Sequence, residues 1–91
     1  MTYDIQIQFF FDGDSGQFSN GERFRLADVR SPDKEDPGYM KAKRSLSAMA
    51  GRSHRMVTVK EVGIDPYGRV IVYLENQDGS INERMKQRGY R

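Results

Sequence analysis

Asp12 and Asp14 set two carboxylates one residue apart on the turn Asp12-Gly13-Asp14-Ser15. Hard oxygen donors so placed suit a cation such as calcium, which takes about six to eight of them. An EF-hand is a poor match, because the acid that should close such a loop falls at Arg23. The plain alternative is an ordinary acidic turn. A second group lies in Phe24-Arg25-Leu26-Ala27-Asp28-Val29-Arg30-Ser31-Pro32-Asp33. Arg25 sits inside an otherwise apolar strand, so its guanidinium must find an anion, which a phosphate supplies bidentately. Asp14, Asp28 and Asp33 are the intramolecular alternatives. In Asp65-Pro66-Tyr67-Gly68-Arg69 a turn presents an aromatic ring beside an arginine. A base or sugar can lie on Tyr67 while Arg69 takes a phosphate, unless the pair is turn chemistry followed by an edge-strand arginine. His54, the single histidine, has no Ser or Cys nucleophile set beside it.

These groups need elements to hold them. Tyr3, Ile5, Ile7, Phe9 and Phe11 alternate with polar residues, which predicts a half-buried first strand with only Phe10 out of phase. Asn20-Gly21 between Phe18 and Phe24 is the signal of a two-residue hairpin, and it predicts strands two and three, the third over about Arg23 to Val29. Asp36 before Pro37 reads as an N-cap with proline in the first turn of a helix. Tyr39, Ala42, Leu46 and Met49 recur along that helix up to Gly51. Met56 to Ile64 and Arg69 to Leu74 read as a hairpin through Asp65-Pro66-Tyr67-Gly68. Ser80-Ile81-Asn82-Glu83 is a capping box, and Gly89 stops the short helix it opens. The order βββαββα, mainly β with two helices, fits a five-stranded Greek-key barrel of the OB type, whose closure protects its edges.

Ninety-one residues support one domain, residues 1–91, around a single core. With no cysteine there is neither a disulfide nor a thiolate zinc site. No apolar run approaches a membrane span, and the start has no basic, then apolar, leader, so a cytoplasmic location away from membranes is expected. The net charge of +2 says little about partners. Its distribution says more: Pro37 to Lys60 holds no acid while Lys41, Lys43, Arg44, Arg52, Arg55 and Lys60 accumulate. That segment is a candidate basic patch or else a solvated face.

In sequence order, Asp-Gly-Asp-Ser, Phe-Arg-Leu with Ser-Pro-Asp behind it, a helix, Tyr-Gly-Arg, and Asn82-Glu83 with Arg88-Gly89 resemble the staphylococcal nuclease (thermonuclease) family from about Phe9 to Tyr90. The resemblance implies calcium-assisted cleavage of DNA or RNA, with water attacking phosphorus to leave a 3′-phosphate and a 5′-hydroxyl. It implies that Arg25 and Arg69 hold the phosphate and that Asp33, matching a glutamate, is the general base. Asp14 matches a carboxylate ligand of the metal, Ser31 a position that offers it a backbone carbonyl, and Tyr67 a tyrosine touching the nucleotide.

The departures matter as much. Arg30 stands where the family has a second metal-ligating aspartate, and Asp33 is one methylene short. The sequence ends at Tyr90-Arg91, before the family's tyrosine-bearing segment and last helix, so support from a partner or a second copy, as a homo-oligomer, is expected. Three functions compete on these residues. One is a nuclease with altered metal use; another is a single-stranded nucleic-acid-binding module without cleavage. The third is an interaction domain, like the non-catalytic repeats of Tudor staphylococcal nuclease proteins. Retention of both arginines favours the first two.

Overall fold

Nine residues, Thr2–Phe10, form β1, and β2 (Ser15–Phe18) and β3 (Arg23–Leu26) follow as a short hairpin in the computed structural model, which describes residues 1–91. Then come α1 (Tyr39–Gly51), β4 (Met56–Ile64), β5 (Val70–Asn76), a two-residue β6 (Gly79–Ser80) and α2 (Ile81–Gln87). The strands order as β3-β2-β1-β4-β5-β6, and a parallel pairing of β3 with β5 closes the first five into a barrel. This is the OB-type architecture that the pattern predicts, with β6 as a small addition at the end of β5.

Inward positions of the strands fill the barrel: Ile7, Phe18, Phe24, Val57, Val59, Val72 and Leu74 are all buried. Phe18 stacks on Phe24 with ring centroids 4.6 Å apart. Leu46, Met49 and Ala50 of α1 and Ile81 and Met85 of α2 join the same core. Ser80 caps α2 by accepting from the Glu83 N–H at 3.1 Å. At the other end Tyr90 N–H reaches the Met85 carbonyl and Gly89 N–H the Lys86 carbonyl, the Schellman pattern, with Gly89 at φ 98°.

Four local expectations are corrected. β1 pairs with β2 through a register shift between Ile7 and Phe9, so the alternation flips. Phe9 and Phe11 are exposed, and Phe10 packs on the core instead. The Asn20-Gly21 hairpin has a three-residue loop rather than two: Phe18 N–H and the Glu22 carbonyl close it at 2.8 Å, with Gly21 at φ 89°. The third strand ends at Leu26, because Asp28 adopts φ 62° and turns the chain. Asp36 is no N-cap; α1 starts at Tyr39 behind a left-handed Gly38, and the Asp36 carboxylate accepts from Asp33 N–H at 3.2 Å.

Candidate functional site

Strand register brings the chemistry together. Arg25 on β3 faces Ser15 across β2 and Ile71 across β5, and Phe24 pairs with Val70. Asp14, one residue before β2, and Arg69, one residue before β5, therefore flank Arg25. Phe24 and Leu26 take the inward positions of β3, which leaves Arg25 on the outer face. The loop after β3 returns Arg30, Ser31 and Asp33 to the same place, tied down by Ser31 N–H on the Asp14 carboxylate at 3.1 Å and by Arg30 N–H on the Tyr90 carbonyl.

The outcome is a cleft of about 440 Å³ lined only by Asp12, Asp14, Arg25, Arg30, Ser31, Asp33, Asp36 and Arg69. Asp14, Arg25, Ser31, Asp33 and Arg69, singled out from sequence, all lie in it. Tyr67 does not; it stands 72% exposed in an adjoining groove that shares Arg25 and Arg69 with the cleft. No residue from Pro37 to Lys60 lines the cleft, so the basic segment belongs to another surface. Asp12, the other carboxylate of the acidic turn, lies in the cleft as well, and Asp36 is a cleft residue for which the sequence offered no such role. Asp36 had only its false reading as a cap.

Arg25 and Arg69 are each positioned by part of the guanidinium, which leaves the rest free. Arg25 donates from Nη1 to the Leu26 and Val29 carbonyls at 2.9 and 2.7 Å and lies 3.3 Å from the Asp14 carboxylate. Arg69 donates from Nε to Asp65 at 2.6 Å. Asp65 also accepts the N–H groups of Tyr67 and Arg69, so one carboxylate folds the turn and aims the arginine. Burial opposes ionisation of Asp65, but those bonds from Arg69 and Tyr67 outweigh it and hold its carboxyl below the usual range. The Arg69 guanidinium lies 5.6 Å over the Tyr67 ring.

The neighbouring carboxyls of Asp12 and Asp14 shift in opposite directions. Burial, then the Asp12 carboxyl, pushes Asp14 up to about 6, against the pull of Arg25. Burial also opposes charge on Asp12, but bonds with Asp14 and Ser15 outweigh it and hold Asp12 low. Gly13 between them is closely hemmed in: a Cβ there would stand 2.7 Å from Ala42 Cβ and 2.8 Å from Ser31 Cβ, so neighbours would have to shift. The Ser31 hydroxyl, packed against that glycine, is buried and has no protein partner.

The donor set has the right chemistry for calcium, hard oxygens beside an unpartnered hydroxyl, but too few members for a cage. No group of three or more Asp, Glu, His or Cys side chains is close enough to hold one ion. One oxygen of Asp14 already serves Ser31 and Arg25.

Comparison with curated proteins gives no match. A family model described as staphylococcal nuclease homologue matches residues 23–91, a span that includes Arg25, Arg30, Ser31, Asp33, Tyr67 and Arg69 and leaves the Asp12-Asp14 turn outside, and the chain belongs to that family.

Proposed function

We propose that this domain binds a phosphodiester of single-stranded DNA or RNA in the polar cleft and hydrolyses it, with weak dependence on metal. The observation that carries the reading is the convergence of Arg25, Arg30 and Arg69 on one cleft without an apolar lining residue. Arg25 uses only Nη1, Arg69 only Nε, and Arg30 no side-chain nitrogen in bonds to the protein. The remaining nitrogens suit non-bridging phosphate oxygens and the charge that grows on them at a five-coordinate phosphorus. The Asp33 carboxylate accepts no protein hydrogen bond and enters no ion pair, so it is free to take a proton from water. Water then attacks phosphorus, its proton passes to Asp33, and the bond to the 5′-oxygen breaks. That oxygen takes a proton from solvent and departs as the 5′-hydroxyl, leaving a 3′-phosphate.

Asp14 and the Ser31 carbonyl are the proposed contacts for calcium, which would add positive charge at the phosphate. Arg30 occupies the same cleft with a fixed positive charge, and this favours a second reading, binding without cleavage. One experiment separates the two: end-labelled single-stranded DNA and RNA are incubated with the protein, with calcium or chelator, and the ends are analysed. Products with 3′-phosphates that vanish in Arg25→Ala and Asp33→Asn support hydrolysis. Retention of uncut strands supports binding alone, and neither outcome at low salt would refute both.

A further inference from the structure

Asp28 lines a groove that shares only Arg25 and Arg69 with the phosphate cleft. The groove, about 480 Å³, adjoins the cleft across Arg25 and Arg69 and carries Val62, Tyr67, Ile71 and Tyr73 as its apolar and aromatic surface. Val62 and Tyr67 are 50% and 72% exposed. A nucleotide whose phosphate sits between the two arginines has this surface within reach of its base, and Tyr67 offers a face for stacking. Asp28 is the exposed carboxylate on the groove, since Asp65 is spent on Arg69 and the turn.

Its placement is built rather than incidental. Asp28 holds φ 62°, an uncommon backbone for a residue with a side chain. The neighbouring Ala27 is fixed on both sides, its N–H on the Val72 carbonyl at 2.9 Å and its carbonyl on the Asn82 amide at 3.0 Å. Tyr73 donates its hydroxyl to Asp28 Oδ2 at 2.6 Å. That bond pushes the Tyr73 phenol up from its ordinary value and keeps it a donor. Oδ1 has no protein partner, and none of the four ion pairs of the chain includes Asp28. Lys86, whose ammonium the Asp28 charge helps to hold protonated, is engaged by Glu83 at 2.9 Å.

We infer that Asp28 makes this groove selective for nucleobases bearing an exocyclic amino group, cytosine, adenine or guanine, over uracil and thymine. The inference rests on the phosphodiester reading of the neighbouring cleft. A carboxylate oxygen held at a fixed position accepts an amino N–H directly. Uracil and thymine have no amino group; their one ring N–H lies between two carbonyl oxygens, which a carboxylate repels.

Binding to deoxycytidine, deoxyuridine and abasic decamers, measured by fluorescence anisotropy with chelator at low salt, tests this. Cytosine and uracil are both pyrimidines of similar stacking area, so their affinity ratio isolates the amino group. The intact protein should prefer deoxycytidine by about five- to tenfold, the worth of about one such hydrogen bond. Asp28→Asn tolerates the left-handed backbone and should bring the ratio within about twofold. The ratio is the readout, because removing a negative charge raises affinity for every strand. Tyr73→Phe, which keeps the charge but frees its orientation, should shrink the ratio as well, with thermal unfolding checking both folds. An equal affinity for the two decamers, or a ratio surviving in Asp28→Asn, overturns the inference while abasic binding leaves the phosphate cleft standing. Failure to bind even the abasic decamer overturns both.

Discussion

Asn82 is wholly buried, and its amide accepts from Leu74 N–H at 2.8 Å while donating to the Ala27 and Val72 carbonyls at 3.0 Å. Asn82→Ala strips Leu74 N–H and the Ala27 carbonyl of this partner, whereas the Val72 carbonyl keeps the Ala27 N–H. A buried group left unsatisfied costs about 1–3 kcal/mol, so the two together cost about 2–6 kcal/mol. That is a large part of the 5–15 kcal/mol expected of a whole domain, and it should lower the Tm by at least about 10 °C. Asn82→Asp is the sharper variant, because it is nearly isosteric. Ionised, the new carboxylate keeps the acceptor for Leu74 but turns two donors into an oxygen facing two carbonyls. It should therefore be less stable than Asn82→Ala at pH 7. Burial and those carbonyls raise the new carboxyl above its unfolded value, so its share of stability is present at low pH and is lost as pH rises through the folded value. The gap to the intact protein should narrow between pH 7 and pH 4, relative to Asn82→Ala as control. Urea unfolding followed by circular dichroism measures all three proteins. An Asn82→Asp variant more stable than Asn82→Ala at pH 7 would refute the reasoning.

Further outcomes are expected. Like charges about 4 Å apart near a surface repel by about 4 kcal/mol, so Arg30→Asp should raise calcium affinity at least tenfold in calorimetry; an unchanged affinity would clear Arg30 of blocking the ion. Asp12→Asn should move the Asp14 carboxyl from about 6 back toward the ordinary range in a carbon-detected titration, stopping short of it because burial remains. Since Asp14 is raised, its stabilising share is complete below about pH 4 and lost as pH rises to about 6; the opposite slope would contradict the assignment. Gly13→Ala, with a Cβ 2.7 Å from Ala42, should cost about 1–3 kcal/mol in urea unfolding and disturb the acidic turn. Tyr67→Ala should weaken single-strand binding by about 1–3 kcal/mol, and the affinity of the intact protein should fall steeply with salt.

The strands and helices were legible because their periods are long and their punctuation is chemical. The Ser80 cap and the stop at Gly89 form as written, whereas the Glu83 carboxylate pairs with Lys86 rather than closing the other half of the box. Phe9 and Phe10 were misassigned because a bulge changes which residues face inward without changing composition, and only the partner strand reveals it. Asp36 satisfies every rule for an N-cap except that Pro37 and Gly38 turn the chain before the helix starts. Arg25, Arg69, Asp14 and Asp33 meet as their motifs implied. Asp65 as the anchor of Arg69 was not legible, since one carboxylate holding three donors is a fact of turn geometry. Nor was the burial of Asn82, whose partners lie 8, 10 and 55 residues away in sequence.

The parallel seam between β3 and β5 also makes the cleft a report on folding. Phe24 and Val70, Arg25 and Ile71, and Leu26 and Val72 are joined across a helix and a long strand, so theirs is among the most non-local contacts in the chain. Bringing such distant segments together carries a loop-closure penalty that local hairpins escape. An open barrel, with β1, β2 and β3 meandering and β4 and β5 paired, can exist without the seam. In that form Arg25 and Arg69 are on unconnected strands and no phosphate can bridge them. A strand bound as proposed would then act as a staple across that seam, raising the cost of opening it by RT ln(1 + [L]/Kd). Slowed hydrogen exchange at the seam amides, rather than throughout the barrel, would be the mark of that staple.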